Sequence, residues 1–267
     1  GKSTLGRLAV GLLEPTAGDR LWRGVRIADL PSTLARECKL RMQMIFQDPY
    51  ASLNPRMRVV DIVGEAPVAH GIVAPNQKVE YVGLQLNRVG LDPTLMRRFP
   101  HQFSGGQRAR IGIARALAVR PEFLVCDESV AALDVSIQAQ VLNLLQDLKA
   151  ELGLTYLFIS HNLAVVDYIA DEIAVMCKGR IVEIAPREIL VRNPVHPYTR
   201  GLLAAVPYPD LERRLDLAAV MEGASRDPAE WRAPFAWTAD DAGVMHDLGA
   251  GHRVRASRSA DLAKVAA

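Results

Sequence analysis

The sequence has few cysteines, little net charge and no long apolar run, and each shortage excludes a class of protein. Three cysteines among 267 residues, at positions 38, 126 and 177, are too few and too scattered for a disulfide framework. A formal charge of +2 gives no sign of a nucleic-acid binder or an acidic tail. The charge-free run LGLTYLFISHNLAVV falls short of the roughly 20 residues that a membrane-spanning helix needs. These shortages favour a soluble protein of the cytoplasm.

The chain also begins without a methionine, and its first residues, GKST, are the end of the phosphate-binding pattern G-x-x-x-x-G-K-[ST]. In that pattern backbone N–H groups wrap the phosphates of a nucleotide, the lysine reaches the outer phosphates and the hydroxyl holds Mg²⁺. Gly1, Lys2, Ser3 and Thr4 are present, whereas the glycine-rich turn before them is not. On these four residues alone, a polar start to a surface helix is an equal alternative.

Short apolar segments alternate with amphipathic helical patterns along much of the chain. The segments 42–46, 123–126 and 155–160 are predicted strands, and Ser136 is predicted to cap the helix before the last of them. This alternation is typical of an α/β fold with a parallel, doubly wound sheet.

Two stretches depart from the alternation. From about 54 to 103 prolines break a series of helical segments, which predicts a helical insertion in the α/β core. Beyond Pro209 the chain is rich in Ala, Arg and Asp without clear periodicity, so residues 210–267 are predicted to form a weakly structured extension. Two hairpins are predicted as well, turning at Arg23-Gly24 and at Lys178-Gly179.

Polar side chains follow each of the three predicted strands. Asp127 and Glu128 come after FLVC, His161 follows TYLFIS, and Gln47 follows MQMIF. The carboxyl ends of parallel strands face the ligand crevice, where Asp127 suits Mg²⁺ and Glu128 suits a general base that orients water. His161 is then aimed at the γ-phosphate, and the neutral amide of Gln47 can contact Mg²⁺ or the attacking water. The alternative is an ordinary strand end with two solvated acids.

The segment FSGGQ stands directly before a predicted helix. Its Ser104, Gly105, Gly106 and Gln107 place free N–H groups and the positive end of a helix dipole together, which is a favourable site for an anion. One γ-phosphate does not need two such elements. Two copies of the chain facing head to tail would use both, each supplying FSGGQ to the other's nucleotide.

The motifs together identify a resemblance. GKST, Gln47, SGGQ, Asp127-Glu128, AALD at 131–134 and His161 stand in the order and spacing of an ATP-binding-cassette (ABC) ATPase. QDPYASLNPR, DVSIQAQ and HPYTRGLL narrow the resemblance to the ATPase subunits of bacterial oligopeptide/dipeptide importers. It covers residues 1–209, with a weaker echo at HRV, 252–254. It implies a P-loop NTPase core with a mostly parallel sheet, an inserted helical subdomain at about 54–118, and a C-terminal extension.

The resemblance implies a role for each residue that contacts the nucleotide of its own subunit. Lys2 binds the β- and γ-phosphates and Thr4 an inner phosphate, with Gly1 part of the same loop. Ser3, Gln47 and Asp127 hold Mg²⁺, and Gln47 also couples the nucleotide to a membrane partner.

It implies further roles at the reacting phosphate and between two subunits. Glu128 is the catalytic base and His161 the γ-phosphate sensor. Ser104 and Gly106, with their neighbours in SGGQ, close on the partner's ATP, and Asp134 lies at the dimer seam.

As a whole, the resemblance implies an ATP-binding and ATP-hydrolysing subunit that couples dimer closure to peptide transport, with ATP and Mg²⁺ as cofactors. Its implied partners are integral membrane permease subunits and a second ABC ATPase subunit in a homo- or heterodimer. A periplasmic or extracellular substrate-binding protein takes part indirectly, and no nucleic acid is expected. The implied location is peripheral, on the cytoplasmic face of the bacterial inner membrane. Importers of this branch also carry nickel and glutathione.

Two alternatives are weighed against this reading. A soluble ABC-type ATPase of DNA maintenance carries a long coiled-coil or zinc-bearing insertion, and the segment between Gln47 and Ser104 is short and has neither. A non-catalytic truncated remnant fits the missing front of the phosphate loop, whereas the intact Glu128 and His161 argue against it.

The sequence departs from the family pattern in four places. The strand, the adenine-stacking aromatic and the first part of the phosphate loop are absent, so we expect an N-terminally truncated chain that is poorly soluble and has no measurable ATPase activity. Ser129 replaces a usual proline, and Ala131 a usual serine. No cysteine follows Cys177, so no iron–sulfur cluster is expected.

Overall fold

The computed structural model describes residues 1–48, 51–205, 227–238 and 241–261. These residues form two compact units. The first unit is Ser3–Ser160, and the second contains Gly1–Lys2 and the chain from His161 onward.

A three-stranded parallel sheet forms the centre of the first unit. Its strands are β3 (Met42–Ile45), β4 (Phe123–Asp127) and β5 (Thr155–Ile159), in the order β3-β4-β5. In β4 the side chains of residues 124–126 are fully buried on both faces of the sheet, as expected for the central strand of a parallel sheet. The predicted parallel sheet is therefore confirmed.

The helix α1 (Lys2–Ala9) packs closely on this sheet. A Cβ added at Gly6 would lie 2.9 Å from Cγ1 of Val125 and 3.0 Å from Cδ1 of Ile159, so only glycine allows this approach. The helix ends at Ala9. Gly11 adopts a φ of +77°, and Leu12 beyond it is exposed.

The predicted hairpin at Arg23-Gly24 is confirmed as β1 (Leu21–Trp22) paired antiparallel with β2 (Val25–Arg26). The helix α2 (Ser32–Arg41) then leads directly into β3.

The segment between β3 and β4 is helical, as predicted. It contains α3 (Val59–Ala69), α4 (Lys78–Arg88) and α5 (Gly105–Leu117), with short 3₁₀ helices at Pro75–Gln77, Pro93–Arg97 and Pro100–Gln102. Pro67 lies inside α3, so the prediction that it breaks a helix is wrong. These helices belong to the same compact unit as the parallel sheet, and a separate subdomain at 54–118 stays a prediction.

The helix α6 (Val135–Leu152) connects β4 to β5. Asp134, and not Ser136 as predicted, is the residue at its N-terminal cap. Gly153 ends the helix with a φ of +64°, the left-handed conformation that glycine adopts without strain.

The second unit is built on a four-stranded antiparallel sheet. Its strands are β6 (Glu172–Cys177), β7 (Arg180–Pro186), β8 (Val244–Asp247) and β9 (Arg253–Ala256), in the order β6-β7-β9-β8. The helices α7 (Leu163–Ile169), α8 (Arg187–Arg192) and α9 (Pro197–Ala204) complete this part of the chain, with a 3₁₀ helix at Pro228–Glu230. The predicted hairpin at Lys178-Gly179 is confirmed as the β6–β7 turn.

The strands β8 and β9 contradict the prediction that the C-terminal extension is weakly structured. They lie beyond residue 209 and yet join the sheet, where Val254 pairs with Glu183 and is fully buried. Unlike β3, these two short strands are not apolar runs, and they are held in place by pairing with each other and with β7. The predicted domain boundary at 209 lies outside the described residues.

A buried carboxylate joins three parts of the second unit. The Glu183 side chain is fully buried, and it accepts hydrogen bonds from the backbone N–H groups of Val195 (2.8 Å) and His196 (3.2 Å). Nε2 of His252 lies 2.8 Å from the same carboxylate. β7, the turn before α9 and the start of β9 are thereby tied together.

Within the described part of the chain, no helix has the length and apolar character needed to cross a membrane.

Candidate functional site

Four of the residues singled out in the sequence meet in two hydrogen-bonded pairs at the carboxyl edge of the parallel sheet. The hydroxyl of Ser3 donates to Oδ1 of Asp127 across 3.0 Å. The amide Nε2 of Gln47 donates to Oε2 of Glu128 across 2.7 Å. Residues up to 124 positions apart are thus brought together, as the strand-end argument predicts.

The pair of Ser3 and Asp127 offers oxygen atoms that suit a magnesium ion. Asp127 is the last residue of β4 and is 3% exposed, while Ser3 lies in the first turn of α1. The close packing of α1 at Gly6 brings that first turn to the strand end. A hydroxyl and a carboxylate are ligands that Mg²⁺ accepts, with the remaining positions left to water or phosphate.

Glu128 follows β4 directly and has an unusual backbone. Its φ is +47°, in the left-handed region that residues other than glycine rarely adopt, and its N–H donates to the carbonyl of Ile159 at 2.9 Å. Such a conformation costs about 1–3 kcal/mol and persists only where the surroundings enforce it. This strained backbone conformation occurs at Glu128, the second of the two carboxylate residues at the end of β4.

Gln47 is exposed and comes two residues after β3. Because β3 and β4 are parallel neighbours, their carboxyl ends lie side by side and the Gln47 amide reaches the Glu128 carboxylate. A neutral donor in this position holds the carboxylate without neutralising it.

The SGGQ segment begins α5 with a capping box, which confirms the predicted helix start. Oγ of Ser104 accepts from the Gln107 N–H at 3.3 Å, and Oε1 of Gln107 accepts from the Ser104 N–H at 3.0 Å. Gly105 and Gly106 belong to the first turn of α5, where the backbone N–H groups have no acceptor within the helix. A Cβ at Gly106 would collide with Cγ2 of Ile137 on α6, whereas one at Gly105 would have ordinary contacts.

Asp134 lies on an exposed part of the first unit. Its side chain makes no capping hydrogen bond to α6, and the next residue, Val135, is 83% exposed.

The remaining predicted residues are exposed. Gly1 and Thr4 lie on either side of the start of α1, and Lys2 is its first residue. His161 comes two residues after β5, directly before Asn162, whose side chain caps α7. Gly1, Lys2 and His161 belong to the second unit, whereas both hydrogen-bonded pairs lie in the first.

One buried contact near the helix α5 was not singled out in the sequence. Arg115 on α5 is half-buried, burial lowers the pKa of its guanidinium, and its Nη1 donates to the carbonyl of Ser52 at 2.6 Å. Ser52 stands in the loop that follows Gln47, so Arg115 anchors the far end of that loop. The sequence signal for this contact is an arginine on a helix face that otherwise consists of small and apolar residues.

Among the residues that the structure describes, no group of three or more His, Cys, Asp or Glu side chains could hold a metal ion. A metal at this edge therefore needs the Ser3 hydroxyl, the Gln47 amide or a bound phosphate as additional ligands.

Two family profiles match the chain. The profile described as "ABC transporter" matches residues 1–131. The profile described as "Oligopeptide/dipeptide transporter, C-terminal region" matches residues 182–232.

Individual proteins agree with these matches. The oligopeptide transport ATP-binding protein OppF of Bacillus subtilis is 53% identical over 212 residues, which are 79% of this chain and 70% of OppF. The solved structure of cbiO1 from Clostridium perfringens, part of the ABC transporter complex cbiONQ, has a TM-score of 0.63 at 28% identity and covers 73% of this chain and 76% of its own. The dimeric post-hydrolysis structure of the ATP-binding cassette MJ0796, bound to ADP and Pi, has a TM-score of 0.61 at 25% identity, covering 70% and 81%. The chain therefore belongs to the ABC transporter ATPases, in the branch that carries the oligopeptide/dipeptide transporter C-terminal region.

Proposed function

We propose that this protein binds and hydrolyses ATP to drive the import of peptides, as the ATPase subunit of an ABC transporter. The observation that carries the proposal is the meeting of Ser3, Gln47, Asp127 and Glu128 at one sheet edge, in a chain 53% identical to an oligopeptide transport ATP-binding protein. The alternatives of a DNA-maintenance ATPase and of a non-catalytic remnant are not favoured by these similarities.

The phosphates bind at the N-terminal end of α1 in this proposal. Gly1, Lys2 and Thr4 contact them, and the first-turn N–H groups with the helix dipole favour their negative charge. Ser3, Asp127 and Gln47 would hold Mg²⁺, which when bound would neutralise negative charge on the phosphates.

Glu128 orients the attacking water and accepts its proton. The hydrogen bond from the exposed Gln47 fixes the carboxylate in position. His161, which follows β5, contacts the γ-phosphate and therefore loses this contact when the phosphate leaves.

A second ATPase subunit completes the site. Ser104, Gly105, Gly106 and Gln107 present the first turn of α5 to the nucleotide held by the other subunit. Asp134 lies at the seam, where contact with that subunit covers the exposed Val135. The dimeric state of the MJ0796 structure supports this arrangement.

The subunits bind integral membrane permease subunits at the cytoplasmic face of the bacterial inner membrane, and Gln47 couples the nucleotide to them. A periplasmic or extracellular substrate-binding protein delivers the peptide. Residues 1–209 form the ATPase domain, with a helical subdomain at about 54–118, and residues 210–267 form the extension.

Peptide uptake tests the proposal. In cells that lack this gene, uptake of a labelled tripeptide should fall and should return with the wild-type gene but not with the Glu128→Gln variant. Glu80→Gln, which neutralises an exposed carboxylate on α4, is the matched control and should restore uptake. Unchanged uptake after deletion, with no other transporter for the tripeptide present, would contradict the proposal.

A further inference from the structure

The second unit contains a cleft that the ATPase chemistry does not use. Its volume is about 670 Å³, within the range of pockets that bind small molecules. Three segments form its walls: the start of α9, the loop 232–235, and the chain 257–261 that follows β9.

The charged groups of the cleft are of both signs. Arg200 and Arg232 line it, together with the carboxylate of Asp261. Nε of Arg200 donates to the carbonyl of Pro194 at 2.8 Å, which fixes the guanidinium on the cleft wall. A planar guanidinium binds a carboxylate through two parallel hydrogen bonds, and a carboxylate binds an ammonium.

The other walls are apolar or carry hydroxyls. Pro234 and Phe235 provide an apolar surface, and Ser257 and Ser259 line the cleft near Asp261. The cleft thus combines two cations, one anion and an apolar wall in a volume suited to a small molecule.

Two buried polar atoms next to residues that line the cleft have no hydrogen-bond partner among the described residues. His196 packs edge-on against Phe235, with ring centroids 5.1 Å apart. Its Nδ1 accepts from the Tyr198 N–H, so Nε2 carries the proton, and this buried donor has no acceptor in the part of the chain that the structure describes. Oγ1 of Thr199, in the same helix turn as Arg200, is also buried without a partner. Unsatisfied polar atoms are rare in folded proteins and call for an explanation.

We propose that this cleft binds a small zwitterion, an amino acid or short peptide with free ends. The carboxylate of the ligand lies against Arg200 and Arg232, its ammonium against Asp261, and an apolar side chain against Phe235. The inference goes beyond the proposed function and does not depend on it, since the ligand binds away from the nucleotide residues of the first unit.

Calorimetric titration of the full-length protein without nucleotide tests the proposal. The probe is the dipeptide Ala-Phe, compared with N-acetyl-Ala-Phe, with Ala-Phe amide and with inorganic phosphate. We expect saturable binding of Ala-Phe, and about 10–100-fold weaker binding when either end is blocked, because charge-assisted hydrogen bonds are lost. Phosphate alone should bind weakly or not at all.

Variants assign the binding to the cleft. Arg232→Gln should weaken Ala-Phe about 10-fold or more and leave the already weak binding of Ala-Phe amide unchanged. Asp261→Asn should weaken Ala-Phe and leave N-acetyl-Ala-Phe unchanged. Arg258→Gln is the matched control, since Arg258 is exposed between two serines of the cleft but does not line it.

Three results would overturn the inference. The first is no saturable binding up to about 10 mM Ala-Phe. The second is equal affinity for the free and the end-blocked dipeptides. The third is phosphate binding as tight as that of Ala-Phe and lost in Arg232→Gln, which would make the cleft a site for simple anions only.

Discussion

At the scale of single residues, Glu128 is the position where chemistry and backbone geometry coincide. Replacing it with Gln in the full-length protein should leave ATP binding intact and slow hydrolysis by roughly 10²–10⁴-fold, the usual contribution of a positioned base. Steady-state phosphate release and nucleotide titration measure the two quantities. If Glu128→Gln keeps more than half of the wild-type turnover, the base is another residue. Glu80→Gln is the control and should keep the wild-type turnover.

The positive φ of Glu128 allows a second test at the same residue. Glu128→Ala and Glu128→Gly both remove the carboxylate, but only glycine adopts a φ of +47° without steric cost. We expect the glycine variant to be more stable than the alanine variant by about 0.5–1 kcal/mol, after allowing for the greater entropy of glycine in the unfolded chain. Urea unfolding compares the two. Higher stability of the alanine variant would mean that the backbone relaxes at this position.

At the scale of elements, the first turn of α5 is predicted to act on the nucleotide of a second subunit. Gly105→Asp adds a carboxylate where N–H donors should meet a phosphate, and a side chain fits at this position. ATP binding by the single subunit should survive while ATP-driven dimerisation fails. Light scattering with ATP, in a background that also carries Glu128→Gln, measures dimerisation.

Gly105→Ala is the control for this test, because it adds bulk without charge and should still dimerise. Gly106→Asp is less informative, since its side chain would also collide with Ile137 on α6. Normal dimerisation of Gly105→Asp would contradict the assignment to a second subunit.

The elements also show what the sequence could and could not predict. The strands β3, β4 and β5 were predictable because short apolar segments alternate with helical patterns. Since neighbouring parallel strands end at the same edge of a sheet, Gln47, Asp127 and Glu128 were predicted to lie together at that edge. Strand order predicts that Gln47 and Glu128 share an edge of the sheet, but it does not predict that their side chains are hydrogen-bonded to each other. The strands β8 and β9 and the Glu183–His252 pair depend on pairing between residues 69 positions apart, for which a single sequence has no local signal.

At the scale of the whole molecule, the burial of His196 predicts a dependence of stability on pH. Burial, together with the positive charge of the nearby Arg255, lowers the pKa of this imidazole from 6.5 to about 3. The unfolded chain therefore takes up a proton near pH 6.5 that the folded chain refuses until about pH 3. The contribution of His196 to the free energy of unfolding is fully present above about pH 6.5 and is lost as the pH falls from 6.5 towards 3.

Between pH 7 and pH 5 the free energy of unfolding of the second unit should decrease by about 2 kcal/mol. Tryptophan fluorescence during urea unfolding reports on this unit, because Trp231 packs against His196. His196→Phe should remove this part of the pH dependence, whereas the exposed His101→Gln should retain it. Equal pH dependence of His196→Phe and wild type would show that another group is responsible.

The buried carboxylate of Glu183 has a consequence for how proteins of this design can vary in length. If β9 is deleted together with His252, the buried Glu183 carboxylate keeps its two backbone donors at Val195 and His196 but loses its side-chain partner. The loss of one partner by a buried polar group costs about 1–3 kcal/mol. A shorter homologue that lacks β9 should therefore have an uncharged residue at the position of Glu183, and the two changes should be inherited together.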